Sequence, residues 1–270
     1  MTKIYINPDI EKAETLPAFF YRSSQYFEDL KNKVFVKSWQ FIGHSSILPI
    51  NLNTYPFEFI KSYIEEPLVL VRDKDEKLKC FSNVCTHRAN IIVHNKAQLK
   101  DLRCMYHGRR FDLDGKFKSM PEFKLAKEFP RNCENLKEFP VSNLGPFLFV
   151  GLEPMFDMSS VSAKIEDRIS FLPLDFIEFR EDLCKDYIVN SHWALYCDNY
   201  LEGFHIPFVH NDLNDVLDYE KYDTEIDEYF NVQIGYAKDG DESIFNFPKD
   251  HQDYGKRISA YYYWIFPNIM

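Results

Sequence analysis

Two short stretches, CTHRAN at 85–90 and CMYHGRRF at 104–111, each carry one cysteine and one histidine. A thiolate is a soft anionic ligand and a neutral imidazole a borderline one, so these side chains close together in sequence suit a metal or iron–sulfur site. A structural zinc site usually pairs like with like, taking two cysteines from one arm and two histidines from the other. Here each arm supplies one of each, first as Cys-x-His (Cys85, His87) and then as Cys-x-x-His (Cys104, His107). That mixed supply is what a two-iron two-sulfur centre needs when two thiolates hold one iron and two imidazoles the other. On spacing alone zinc remains the alternative.

A second group of donors lies in DNYLEGFHIPFVH, residues 198–210. His205 and His210 would point about 140° apart on a regular helix, and Pro207 between them discourages a regular continuation. A helix that ends near His205 and bends through Pro207 brings both imidazoles within reach of one metal. Two histidines and a carboxylate with open positions form the facial site of non-haem iron(II) oxygenases. The pair is a weak signal alone and a strong one downstream of the first group.

These residues need elements to hold them. SQYFEDLKNKVFVKSW predicts a helix through Phe27, Leu30 and Val34, with Ser23 or Ser24 as its cap. PLVLVRDKDEKLKCFSNV predicts a hairpin turning at Asp73–Glu76, and LRCMYHGRRFDLDGKFK a second one turning near Asp114-Gly115. GPFLFVGLE is a further strand, which makes residues 39–153 an all-β module behind an N-terminal helical segment, 1–38. Beyond it, in 154–270, SSVSAKIEDRISFL and SHWALYCDNYLEGFH predict helices, the latter ending close to Pro207. YFNVQIGYA and RISAYYYWIFPNIM predict strands.

The composition is 45% hydrophobic and 17% aromatic, which excludes a disordered chain. The net charge of -10 argues against a general nucleic-acid binder. No apolar run is long enough for a membrane span, and the N-terminus lacks a signal-peptide pattern; a cytoplasmic protein is expected. Charge is uneven. Between 86 and 118, Arg88, Lys96, Lys100, Arg103, Arg109, Arg110, Lys116 and Lys118 outnumber Asp101, Asp112 and Asp114, while 211–229 is acidic. Two solvated surfaces account for this, as does a basic collar to which an acidic electron donor docks. Cys80, Cys133, Cys184 and Cys197 stand alone and are expected to be quietly buried, and His44 and His94 to be surface or hydrogen-bonded residues.

Cys85-Thr86-His87-Arg88 and Cys104-Met105-Tyr106-His107-Gly108 resemble the Rieske motif of ring-hydroxylating and related non-haem iron oxygenases. DNYLEGFHIPFVH resembles the mononuclear-iron motif of the same family, most of all its choline and carnitine branch. The resemblance implies an α+β protein: an all-β Rieske [2Fe-2S] domain, 39–153, and the first part of a helix-grip-like catalytic domain, 154–270. It assigns Cys85 and Cys104 to one iron of the cluster and His87 and His107 to the other. Two imidazoles in place of thiolates raise the potential to about -150 to +300 mV, against roughly -400 mV for all-cysteine plant-type clusters. Gly108 is expected to keep its loop close to the cluster. Many relatives carry Trp after this glycine where Arg109-Arg110 stands here, a departure that does not threaten cluster binding.

By the same resemblance His205 and His210 bind a mononuclear Fe(2+), and Glu202 is the bridging acid that links it to a neighbouring subunit's Rieske site. Asn199 is a candidate near iron and substrate, with a helix-surface or capping role as the alternative. Trp193, Tyr196, Tyr200, Phe204 and Phe208 are candidates for an aromatic cage, with core packing as the plainer reading. The family's third ligand is an aspartate beyond the end of this chain, and Asp212, Asp215 and Asp218 do not match its position. The implied activity is that of an oxygenase α-subunit, in a homotrimer. Electrons from NAD(P)H arrive through a separate reductase or ferredoxin, and O2 is used for C–H hydroxylation or N-dealkylation of a small molecule, with a quaternary ammonium compound as the candidate substrate. A Rieske electron carrier without a working mononuclear site is the alternative, and neither nucleic acid nor membrane is an expected partner.

Overall fold

In the computed structural model, which describes residues 3–270, the apolar run Leu68-Val69-Leu70-Val71 is wholly buried. Its side chains alternate between two cores. Val69 and Val71 join Phe81, Leu102, Phe111 and the two motif cysteines, whereas Leu68 and Leu70 join Cys80, Phe139, Leu148 and Val150. An unbroken apolar run is therefore what this strand requires, because both faces of its sheet are covered.

Two short helices come first, α1 (Ala18–Arg22) and α2 (Ser24–Leu30). The Ser23 hydroxyl accepts the Tyr26 N–H at 3.4 Å and caps α2. The predicted helix continues as a wider π turn over Lys31–Phe35. Ten strands follow: β1 (Trp39–His44), β2 (Thr54–Ile60), β3 (Ile64–Arg72), β4 (Leu78–Ser82), β5 (Leu102–Arg103), β6 (Arg110–Phe111), β7 (Phe117–Ser119), β8 (Glu138–Phe139), β9 (Val141–Leu144) and β10 (Phe147–Gly151). They form antiparallel sheets in the orders β1-β10-β9, β2-β3-β4-β8 and β5-β6-β7.

Both predicted hairpins are present, and the same device closes each. Asp73 Oδ1 accepts the N–H groups of Asp75 and Lys77 at 2.9 and 3.0 Å, and Asp112 Oδ1 those of Asp114 and Lys116 at 2.9 and 3.0 Å. Such aspartate turns imitate a backbone turn with a side chain. Gly115 takes φ +73° in the second turn, where a Cβ would come within 2.6 Å of the Phe81 ring.

Helix α3 (Met158–Ile169) starts from Asp157, which accepts the Ser159 N–H. Glu166 on α3 accepts the Gly145 N–H at 2.6 Å, at the β9–β10 turn. The helix accordingly belongs with the β module, and the compact unit runs over Val36–Glu181 rather than the expected 39–153. The other unit combines the described residues up to Phe35 with Asp182–Met270, so the N-terminal segment and the last part of the chain form one body. It contains α4 (Trp193–Tyr200), α5 (Ile206–Val209), α6 (Asn211–Val216) and the antiparallel sheet β11 (Asp223–Ile226), β12 (Phe230–Tyr236) and β13 (Ile258–Ile265), in that order.

The helix predicted to reach Pro207 stops instead at Tyr200. A turn over residues 201–205 follows, and α5 opens with Pro207 in its first turn, where a missing N–H costs nothing. Among the described residues no helix is long and apolar enough to cross a membrane.

Candidate metal centres

The two Cys/His loops share one backbone pattern. Cys85 N–H donates to Asn90 O at 2.8 Å and Cys85 O accepts from Ala89 N at 3.0 Å; Cys104 N–H donates to Arg109 O at 2.8 Å and Cys104 O accepts from Gly108 N at 3.0 Å. The residue four beyond each cysteine is left-handed, Ala89 at φ +52° and Gly108 at φ +73°. The second loop uses the glycine that this conformation favours, and the first tolerates an alanine. Asn83, just after β4, fastens the first loop. Its side chain accepts the Val93 N–H at 2.8 Å and donates to Val93 O at 2.7 Å.

Both cysteines are buried, at 3% and 2% exposure, and belong to the same core. Both histidines are half-buried, with ring centres 4.9 Å apart. The donors therefore form a thiol pair inside and an imidazole pair at the rim. Two pairs suit two metal ions bridged by something the protein does not supply. His107 Nδ1 is buried without a hydrogen-bond partner, and such an atom is completed by a metal at that position. The residues fit a two-iron cluster.

Burial pushes the Cys85 thiol up, against the opposing N–H of His87. Burial acts on Cys104 in the same sense, but the N–H groups of Tyr106 and His107 and the Cys85 thiol outweigh it and hold Cys104 below its usual range. Asn90 adds a side-chain N–H at 3.7 Å from the Cys104 sulfur. Burial, then the charges of His107, Arg88 and Arg109, hold His87 low, with Glu134 opposing. This is an environment for neutral imidazole and anionic sulfur, the ligating forms.

The basic run divides: Arg88, Lys96, Lys100, Arg103 and Lys116 are exposed, and three of its members are engaged by carboxylates. Arg109 is 2% exposed and paired with Glu134, Arg110 and Lys118 both engage Asp101, and Asp114 engages Lys79. The exposed groups at the tip of the second loop are Met105 and Tyr106. His44 accepts the Ser46 N–H at 3.1 Å, as a hydrogen-bonded histidine should. Cys80 and Cys197 are buried as expected, but Cys133 and Cys184 are exposed.

In the other unit His205 caps α5 and His210 lies between α5 and α6, so the break in the helix brings their ring centres to 5.1 Å. Glu202 reaches both neighbours of that break: one carboxylate oxygen is 2.6 Å from His205 Nδ1, and the other accepts the Phe204 N–H. With Nδ1 so engaged, Nε2 of His205 is left to face a metal. The two imidazoles and Glu202 line a pocket of about 170 Å³ with Asn199, Tyr200, Tyr222, Gln233 and Tyr262. Two imidazoles with a carboxylate behind one of them suit a mononuclear iron that takes a further ligand from outside these residues.

Of the expected aromatic cage only Tyr200 lines this pocket. Tyr196, Phe204 and Phe208 are exposed, and Trp193 packs on Phe35. Asp212 and Asp215 are exposed and Asp218 pairs with Lys221 at 2.7 Å, so none of the three joins the lining. Sequence patterns did not single out Tyr222, Gln233 or Tyr262. Gln233 on β12 is 1% exposed; it donates to Tyr200 O at 2.6 Å and accepts from Tyr222 Oη at 3.1 Å. The available signal was a glutamine between the apolar Val232 and Ile234 in a strand, since a buried amide needs partners on both its atoms.

The family described as Rieske [2Fe-2S] domain matches residues 38–130. The chain is 30% identical over 278 aligned positions to the carnitine monooxygenase oxygenase subunit of Escherichia coli (strain K12), covering 96% of this chain and 67% of that one. It is 26% identical to the chloroplastic choline monooxygenase of Arabidopsis thaliana, covering 97% of this chain and 62% of the relative. It thus spans about two thirds of the length of the curated relatives it matches. In fold it is similar to the quaternary ammonium Rieske monooxygenase CntA solved with an inhibitor, at a TM-score of 0.74 and 21% identity over 98% of this chain and 71% of that one.

Proposed function

Because the chain belongs to the Rieske oxygenase α-subunit family, in its choline and carnitine monooxygenase branch, we propose that it is the oxygenase component for a quaternary ammonium substrate. The observation that carries this reading is the pairing of two centres: the Cys85/Cys104 and His87/His107 pairs, and His205 with His210 backed by Glu202 in a tyrosine-lined pocket. When bound, a [2Fe-2S] cluster supplies single electrons and a mononuclear iron(II) supplies the site of O2 chemistry.

The chain's own residues do the rest. Cys85 and Cys104 hold one iron of the cluster, while the imidazoles of His87 and His107 hold the other. N–H groups from Tyr106, His107 and Asn90 stabilise sulfur charge at Cys104. His205 and His210 hold the mononuclear iron, and Glu202 keeps the His205 proton on Nδ1. Tyr200, Tyr222 and Tyr262 present aromatic surface to the substrate cation, and Asn199 borders the same pocket. Gln233 fixes Tyr222 and the end of α4.

Electrons come from NAD(P)H through a separate reductase or ferredoxin, and the working assembly is a homotrimer in which Glu202 faces a neighbouring subunit's cluster. The segments 39–153 and 154–270 act as Rieske and catalytic domains, although α3 in the second segment packs on the β9–β10 turn of the first. The electron-carrier reading is less favoured, since the relatives match the chain through the second pocket as well as the first.

Iron and acid-labile sulfide, measured per chain after purification without oxygen, test the reading at a ratio of about three to two. A ratio near one to one means that the second centre does not fill, and colourless protein refutes the cluster. Substrate recognition is tested by comparing a trimethylammonium alcohol with its neutral tert-butyl analogue. Equal turnover of the two refutes recognition of the cation.

A further inference from the structure

The bulkiest wholly buried side chain among the described residues is a charged one. Arg109, two residues beyond His107, is 2% exposed. Its guanidinium carbon lies 4.8 Å from the centre of the Phe117 ring, with the Phe111 and Phe129 rings at 5.7 and 5.8 Å. Nη2 donates to Glu134 Oε2 at 2.5 Å and to the Glu134 carbonyl oxygen at 3.4 Å. Glu134 is 6% exposed, and its second carboxylate oxygen accepts from Arg131 Nη2 at 2.9 Å.

The same Glu134 carbonyl accepts the Thr86 hydroxyl at 2.9 Å. Thr86 stands between Cys85 and His87. One residue that belongs to neither ligand loop is therefore bonded to both. Packing alone does not explain it, because a buried ion pair can commonly be exchanged for apolar side chains of similar volume at no loss of stability.

We propose that Glu134 is a positioning residue for the iron–sulfur cluster: its carbonyl and carboxylate clasp the two ligand loops, and its charge compensates Arg109, which keeps the cluster's reduction potential down. The inference rests on the reading that residues 85–107 hold a Rieske cluster. Reduction adds negative charge at the cluster, so an uncompensated guanidinium beside it favours the reduced form. Glu134 removes that bias while leaving Arg109 in its aromatic cage.

The experiment is a redox titration of full-length Glu134→Gln beside the parent protein, followed by the electron paramagnetic resonance of the reduced cluster. The expected result is an unchanged type of signal, with the midpoint shifted upward by about threefold or more in the reduction equilibrium. A neutral double variant, Arg109→Met with Glu134→Met, is expected to return the midpoint to near the parent value.

An unmoved midpoint in Glu134→Gln, with only the melting temperature lowered, overturns the proposal and leaves the pair as scaffold. Where Glu134→Gln fails to assemble a cluster, the double variant decides. Assembly with a parent-like midpoint supports charge compensation, and renewed failure overturns it in favour of shape. A parent protein without a Rieske signal refutes the underlying functional reading instead, so the two failures are distinguishable.

Discussion

Cys85 and Cys104, the proposed sulfur ligands, are also members of a hydrophobic core, so removing either thiol should affect the cluster and the packing together. Cys85→Ser and His107→Ala are each expected to abolish the visible absorption of the cluster, measured on protein purified without oxygen. Glu202→Gln should leave that absorption intact, because Glu202 contacts His205 and the Phe204 N–H. Its loss should weaken iron at the second centre by about 10–100-fold, as outer-sphere carboxylates do, read as iron in excess of sulfide. Asp101 carries a pH prediction. Arg110 first, and then Lys118, hold its carboxyl below the usual range. A depressed carboxyl contributes stability that is present above the unfolded value of about 4 and is lost as pH falls through the folded one. The parent's melting temperature should therefore fall on acidification below about pH 4, and that of Asp101→Asn should fall less steeply; parallel curves refute the assignment.

Among the elements, the β3–β4 and β6–β7 hairpins are legible in the chain itself, since each announces its turn with an aspartate and a short polar run. The second turn also needs its glycine. Gly115→Ala meets both a left-handed backbone and the Phe81 ring, and should cost about 2 kcal/mol of stability by chemical denaturation. Leu70→Ala, in the strand shared by two cores, should cost roughly 2–5 kcal/mol. The break after Tyr200 is not legible to the residue. Pro207 announces an interruption, but proline is tolerated in a first turn, so the same signal fits a helix ending at 206 and one beginning there. Ile206, buried in the fold, opens the second helix, and this outcome brings His205 and His210 together.

For the whole molecule, the division into Val36–Glu181 and a body made from both chain ends shows which segment should be cut first. Residues 177–191 contain no regular helix or strand beyond a short turn, and they are exposed throughout, Ile188 to 95%. Limited proteolysis is expected to cut there and to leave the cluster's absorption with the N-terminal fragment. First cleavage inside the β2–β3–β4 sheet refutes this picture of the division.

The candidate donors, their two clusters along the chain and the two hairpins are legible in residue order, because ligand chemistry and turn chemistry act between near neighbours in the chain. The family was legible in the same way, through Cys85-Thr86-His87 and Cys104-Met105-Tyr106-His107. The surroundings of those donors came from the folded molecule. Arg109 reads in the chain as part of an exposed basic run, yet it is buried against Glu134, 25 residues away. Gln233 and Tyr262 reach the second pocket through the pairing of β12 with β13, and Tyr222 joins them through its hydroxyl on Gln233, which also bonds the end of α4. Burial and long-range pairing depend on which residues the fold brings face to face, and no local spacing encodes that.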